Sequence, residues 1–276
     1  MPEDTTIELA PDLTDEDVAV LRRYLADPFH LSDQEWQHLR TAVDRLAQSA
    51  VVFGDRQYGF RRFYDLFING TYARPFLRRL RHLRDLQQEG PVLQASVARG
   101  ITAWFRLNGL EPSVVLGADC LWVYCLYWWA AFARGYLFER VIICDMQAAG
   151  IRFQAHESER GRERYTPYDL SVPGLGNGDI KGSLYFLDVL PDPPADFYVT
   201  RLYDARRREV KQVVFLTPQV WRRLNGALQP TTIAEAPRYF PSPVVVEIAG
   251  EPWVVVEYEV WKGRLLRWQT EGSHED

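Results

Sequence analysis

The chain has 276 residues, 47% of them apolar and 25% charged, with a formal net charge of −5. Such a length supports one large domain or two ordinary ones, and such a composition excludes a disordered chain. The slight acidic balance exerts no global pull on nucleic acid, so any such function has to rest on local asymmetry.

The first residues, MPEDTTIELAPD, are acidic and lack the apolar stretch of a signal peptide. The three cysteines, Cys120, Cys125 and Cys144, are odd in number and sit in apolar runs. Neither a disulfide framework nor a CxxC zinc pattern is available, and a reducing, cytoplasmic compartment is expected.

Helices dominate the first hundred residues. Thr14-x-x-Asp17 and Ser32-x-x-Glu35 read as capping boxes, and Leu39, Val43 and Leu46 recur at helical spacing after the second. A further helix is expected over 73–88, after a break at Asn69-Gly70 and before a stop at Gly90-Pro91. Another over 92–107 carries Leu93, Val97, Ile101 and Phe105 on one face and ends near Asn108-Gly109.

Val114 to Phe132 is a 19-residue run with one charge, Asp119, which reaches the length of a membrane helix. Gly117 and Asp119 interrupt it, and no second span exists to pair with the acid. A buried core helix flanked by a short strand is the better reading, with no membrane role. It would bury Trp122, Tyr124, Tyr127, Trp128 and Trp129.

Beyond it, β-branched and aromatic runs predict strands at Val141–Cys144, Tyr168–Val172, Leu184–Val189, Phe197–Leu202 and Val210–Leu216. Val244–Ile248, Trp253–Tyr258 and Leu265–Trp268 extend the series, with turns at Gly250 and Gly263. A short helix is expected after Thr217-Pro218. The fold class is therefore α+β: an N-terminal helical bundle over 1–110, then a β-rich mixed-sheet domain over 111–276. The aromatic helix is compatible with either part.

Two features suggest chemistry. Between Arg56 and Arg84 there are eight arginines against one acid, Asp65, whereas residues 1–55 hold twelve acids and four arginines. Arg61, Arg62, Arg74, Arg78, Arg79 and Arg81 are candidates for phosphate contacts, with Tyr58, Phe60, Phe63, Tyr64 and Tyr72 interleaved as stacking rings. The competing reading is a helix surface whose arginines pair with the acidic N-terminal helices. Phe76, Leu80 and Leu83 would form its core stripe and turn the arginines outward by default.

The second feature is more specific. Only three lysines occur beside 29 arginines, and two of them follow an acid by two residues, in Asp179-Ile180-Lys181 and Glu209-Val210-Lys211. On a strand that spacing puts both side chains on one face, about 7 Å apart along the backbone. YDLSVPGLGNGDIKGSLYFL reads as strand, turn and strand, and a hairpin centred near Gly174 sets Asp169 opposite Asp179. Facing carboxylates, roughly 5 Å apart at Cβ, repel until a hard cation bridges them. Lys181 would project beside that cation. Those are the parts of metal-assisted phosphodiester hydrolysis.

Asp169 followed after an interval by Asp179-Ile180-Lys181 resembles the PD-(D/E)XK nuclease superfamily, the restriction-endonuclease-like fold, over residues 114–225. The resemblance implies a mixed sheet flanked by helices, Mg²⁺ or Mn²⁺, and cleavage of DNA or sometimes RNA. Carried over, Asp169 and Asp179 would be metal ligands and Lys181 the catalytic lysine. An acid from the preceding helix often assists, a place open to Asp119 or Glu139. Two departures stand out: Pro167-Tyr168-Asp169 is not a Pro-Asp pair, and a proline-rich link follows where the family usually has a helix. The competing reading is an exposed hairpin with turn-capping aspartates.

Glu209-Val210-Lys211 ranks second, as a surface cross-strand pair near a hairpin tip, with Asp196 or Asp204 upstream. His156, Glu157 and Glu159 read as a solvated loop, and Gly174-x-Gly176-x-Gly178 lacks the lysine and helix of a phosphate loop. Metal-dependent nucleic-acid cleavage leads, with DNA expected over RNA. A non-catalytic nucleic-acid-binding or assembly subunit is the alternative, and a protein-binding module with exposed aromatic surface comes third. A protein partner or self-association is compatible with each.

Overall fold

A computed structural model describes residues 5–27, 30–155, 168–188, 190, 194–204, 207–224 and 230–271. The chain forms two compact units, Met1–Leu137 and Phe138–Asp276. The division falls inside a helix rather than near residue 110.

The N-terminal unit is helical, with a small sheet absent from the sequence reading. Strands β1 (Thr6–Glu8), β2 (Ala50–Phe53) and β3 (Arg56–Gly59) pair antiparallel in that order. Helices α1 (Asp15–Ala26) and α2 (Asp33–Leu46) both begin at the expected capping boxes, on Thr14 and Ser32. In each, the cap hydroxyl accepts the N3 backbone N–H while the N3 carboxylate accepts the cap N–H, which satisfies two of the orphan donors at the helix start.

Asp17, fully buried, is the hub of this pair of helices. Its carboxylate accepts from the Thr14 backbone N–H and hydroxyl and from Arg45 Nη1, and lies 2.9 Å from His38 Nε2. Burial pushes the carboxyl up, but the Thr14, Arg45 and His38 hydrogen bonds outweigh it and hold it down at about 2. A carboxyl depressed on folding contributes stability above its unfolded value near 3.8, and that contribution is lost as pH falls toward about 2. Asp17→Ala is therefore expected to cost about 2–3 kcal/mol at neutral pH. Denaturant titrations should show the gap between wild type and variant closing over that acid range.

From Phe60 the chain is helical to Leu80, through α3 (Phe60–Phe63), a π-helical turn (Tyr64–Asn69) and α4 (Gly70–Leu80). Asn69-Gly70 is thus no break. Gly70 has helical φ and ψ, and its N–H reaches back five residues to the Asp65 carbonyl. α5 (Leu86–Leu107) is capped by Asp85, which accepts from the N–H groups of Gln87 and Gln88. It carries Gly90-Pro91 in its second turn instead of being stopped there. A Cβ on Gly90 would lie 2.5 Å from Leu137 Cδ1, so the glycine permits a close approach.

α6 (Ala118–Ala148) is the aromatic helix, 31 residues long and continuous through the expected Val141–Cys144 strand. Its Phe138, Ile142, Ile143 and Met146 are buried, a helical period that outweighs the β-branched local composition. Asp119 in its first turn is held by Arg22 Nε at 2.6 Å. No described helix is long and apolar enough to cross a membrane. The three cysteines are free.

The second unit is built on a mixed seven-stranded sheet, ordered β4-β5-β6-β7-β8-β10-β9. The strands are β4 (Gln154–Ala155), β5 (Leu170–Val172), β6 (Gly176–Ile180), β7 (Phe197–Asp204), β8 (Glu209–Leu216), β9 (Val244–Ile248) and β10 (Glu251–Glu257). Only the β6–β7 pairing is parallel. The central strands are buried on both faces, which explains runs such as Val213-Val214-Phe215-Leu216. Phe197, Val199, Val214, Leu216, Val254 and Val256 pack with Phe138 and Ile142 of α6 and Trp261 of α8 (Tyr258–Glu271). Tyr198, Leu202, Val213, Phe215 and Val255 face a second core that includes Phe186 and Ala236.

Two further expected strands are helical. Leu184–Asp188 is a 3₁₀ turn within the β6–β7 link, and Leu265–Trp268 lies inside α8, with Gly263 as an interior residue rather than a turn. Buried Tyr258, Trp261, Leu265 and Gln269 in α8 follow the 3.6-residue period, which alternation in so short a window cannot reveal. α7 (Pro218–Arg223) starts as expected, with Thr217 as cap and Pro218 at its first turn.

Candidate functional site

The β5–β6 hairpin forms where the turn residues place it. Its register pairs Leu170 with Gly178, Ser171 with Asn177 and Val172 with Gly176. Gly174 takes a left-handed φ of +75° in the turn, and the Leu175 N–H closes onto the Val172 carbonyl at 3.0 Å. The glycines have packing reasons rather than a phosphate-cradling one. A Cβ on Gly176 would fall 2.4 Å from Asp196 Oδ2, and one on Gly178 would fall 2.1 Å from the Phe197 ring. The turn is held from outside by Arg223 of α7, which donates to the carbonyls of Gly174 and Leu175.

One step beyond the Leu170–Gly178 pair, Asp169 lies opposite Asp179, and the two are locked together. The Asp169 N–H donates to Asp179 Oδ1 at 3.1 Å, and the Ile180 N–H donates to Asp169 Oδ2 at 2.9 Å. Lys181 projects between them, its Nζ 3.0 Å from Asp179 Oδ2 and 4.0 Å from Asp169 Oδ2. The alternation of β6 puts Ile180 into the α6-facing core and leaves Asp179 and Lys181 on the other face. Asp179 is buried, while Asp169 and Lys181 are half-buried.

A third acid belongs to this neighbourhood. Half-buried Glu139 of α6 is pushed up to about 7, first by desolvation and then by the negative charge of Asp169. Arg140 and Lys181 act against that rise, and Asp179 adds to it. Of the two acids open to the helix position, Glu139 therefore feels both aspartates, whereas Asp119 belongs to the N-terminal unit and is bound to Arg22. Arg140 directs Nη2 toward Cys144 Sγ at 3.6 Å, and its Nε is buried without a partner among the described residues.

A carboxyl raised on folding is protonated more readily in the native state, so stability declines as pH climbs from 4.5 toward 7. In EDTA, Glu139→Gln should leave the melting temperature near wild type at pH 5 and raise it at pH 8. Equal melting shifts at both pH values would contradict a buried, charge-crowded Glu139.

The donor set suits a hard divalent ion. Two carboxylates lie within 4.0 Å of one ammonium nitrogen, and such oxygens, supplemented by water or phosphate oxygens, complete the six-coordination of Mg²⁺. Among the described residues, however, no group of three or more His, Cys, Asp or Glu side chains is close enough to hold a metal by itself.

The second acid-x-lysine motif behaves as a surface cluster. Lys211 Nζ is 3.3 Å from Glu209 and 2.8 Å from Glu257, and Arg207 reaches Glu209 at 3.7 Å. Arg207 also lies 4.0 Å from Asp204, so two cations there are shared among three acids, each acid within ion-pair reach of a cation. The third lysine, Lys262, bonds Asp145 at 2.7 Å and Glu259 at 2.9 Å, and the Tyr258 hydroxyl donates to the same Asp145 carboxylate. Glu259 and Lys262 stand three residues apart on α8, whereas Asp145 is over a hundred residues away, so sequence spacing carried no hint of its part in the cluster. His156, Glu157 and Glu159 lie outside the described residues.

In the N-terminal unit, Arg61, Arg62, Arg74, Arg78 and Arg79 are exposed and form no ion pair among the described residues. Arg81 is half-buried and has a partner. The acidic helices use their own arginines instead: Arg45 on Asp17 and Arg23 on Glu35. The interleaved rings do not stack outward. Phe60 and Phe63 are fully buried, Tyr64 is nearly so, and the Tyr72 hydroxyl donates to the Gly100 carbonyl. Phe53, Phe63, Phe67 and Trp104 instead form an aromatic cluster. Large exposed aromatic side chains are confined to Trp128 and Tyr203 among the described residues.

No protein-family model matches the chain, and no curated protein or solved structure is detectably similar to it.

Proposed function

We propose that this protein is a metal-dependent nuclease of the PD-(D/E)XK kind, acting on nucleic acid, with DNA favoured over RNA. The observation that carries the reading is the joining of Asp169 and Asp179 across one hairpin, with Lys181 between them and Glu139 raised first by desolvation and then by their charge. The mixed sheet with helix α6 packed on it is the α+β frame on which the restriction-endonuclease-like reading rests.

Asp169 and Asp179 would hold Mg²⁺ or Mn²⁺. When bound, the ion supplies Lewis acidity and a water of lowered pKa. The chain's own residues do the rest. Backbone N–H donors fix both carboxylates against rotation. Lys181 brings a fixed positive charge to a phosphate oxygen or the attacking water as its ammonium leaves the carboxylates. Glu139, raised to about 7, can accept a proton near neutral pH. The exposed arginines of the N-terminal unit contribute phosphate contacts.

The test is incubation of labelled DNA and RNA with Mg²⁺, Mn²⁺ or EDTA. Metal-dependent cleavage is expected, and its absence with every substrate would leave a second reading, a non-catalytic nucleic-acid-binding subunit. That reading is favoured by the Lys181 ammonium, which already offsets one of the two aspartate charges as an internal ion pair. The reducing, cytoplasmic setting is part of the same proposal.

A further inference from the structure

The arginine face of the N-terminal unit says more about its ligand than that it is anionic. Arg61 and Arg62 leave α3, and Arg74, Arg78 and Arg79 leave α4, along a helical path uninterrupted from Phe60 to Leu80. At about 1.5 Å per residue, Arg61 and Arg79 stand roughly 27 Å apart along it, about the length of eight base pairs. Phe76 and Leu80 are buried, which fixes which side of α4 faces the core and leaves Arg74 and Arg78, one turn apart, on solvent. One acid, Asp65, is exposed on this path.

Two competing anionic ligands fit less well. Surfaces that grip single strands present aromatic rings on which unstacked bases lie. Here Phe60, Phe63 and Tyr64 are spent in the core, and half-buried Tyr58 and Tyr72 sit edge-on to Phe67 and Trp129. A helix that lies on an anionic membrane presents a broad apolar face to the lipid. The apolar face of this helix is covered by its own unit, and Leu66, at 41% exposure, is its one large exposed apolar side chain among the described residues.

We infer that this face grips double-stranded nucleic acid through its phosphates alone, without reading bases. The inference rests on the nucleic-acid reading above and narrows its substrate to duplexes bound without regard to sequence. Guanidinium groups exposed along this helix would meet phosphates of a duplex, and the gain comes mainly from counterion release.

The experiment uses the full chain in EDTA, so that binding is read without cleavage. Fluorescence anisotropy is measured on labelled DNA duplexes of two unrelated sequences, about 24 base pairs long, on the matching RNA duplex, on the single strands, and on anionic phosphatidylserine vesicles. The two DNA duplexes should bind within about twofold of each other and the single strands at least about fivefold more weakly. A variant carrying Arg74→Gln, Arg78→Gln and Arg79→Gln should bind duplex about tenfold more weakly or worse, with the log–log salt slope reduced by about 3. The RNA duplex arm shows which backbone is preferred, and binding to either duplex supports the inference.

The inference is overturned by tighter binding to single strands, by strong preference for one sequence, by binding to vesicles alone, or by an unaltered triple variant of intact helicity. Asp179→Asn keeps the two ideas separate, since it should bind duplex like wild type while failing to cut. Cleavage without duplex affinity would remove the grip alone, and duplex affinity without cleavage would remove the nuclease alone.

Discussion

Asp179→Asn is expected to reduce metal-dependent cleavage by roughly 10²–10³-fold or more, with little change in fold. Asparagine keeps an oxygen that can accept the Asp169 N–H, so the hairpin retains its internal bond, but it removes the charge that holds Lys181 at 3.0 Å and that would bind the proposed cation. Lys181→Ala should give a comparable loss while retaining metal binding, because the ammonium is not itself a ligand. Isothermal titration with Mn²⁺ separates the two: the asparagine variant should lose the heat of binding and the alanine variant should keep it. Undiminished cleavage in either variant, measured on labelled DNA under single-turnover conditions, would remove the aspartate pair from the chemistry.

Gly178→Ala is the substitution expected to damage the second unit most. The added methyl would sit 2.1 Å from the Phe197 ring, across the parallel β6–β7 pair, and Phe197 is itself fully buried against Trp261. Neither strand nor ring has room to withdraw in a close-packed interior, and such overpacking costs about 3 kcal/mol at the upper end of its range. The melting temperature should fall by roughly 6–12 °C, as followed by circular dichroism. Because Asp179 is the next residue, cleavage should fall further than the unfolded fraction explains. A melting temperature within a degree or so of wild type would mean that β6 and β7 can separate freely, contrary to the packing described.

Local rules carried far in this chain. Two capping boxes start α1 and α2 at Thr14 and Ser32, because their hydrogen bonds span only three residues and are written within that window. The opposition of Asp169 and Asp179 followed from counting residues around a glycine turn, since the antiparallel register is set by the turn itself. Where pattern misled, a longer element had absorbed it. Val141–Cys144 reads as a strand in isolation yet continues α6, and Leu265–Trp268 continues α8. Asn69-Gly70 reads as a break yet lies where a π-helical turn passes into α4. Burial along one helical face outweighs β-propensity or a glycine over a few residues.

Sequence alone determined the α+β class, the cap positions, the hairpin and the acid-x-lysine pair, all of which depend on interactions between near neighbours. Only tertiary structure decided that Glu139, thirty residues before Asp169, shares its electrostatic field, and that Phe60, Phe63 and Tyr64 serve the core while five arginines remain in solvent. Charge and aromatic content are written in the chain, but desolvation and facing are not. They arise when distant segments remove water from one another, and no spacing rule within a single segment encodes that.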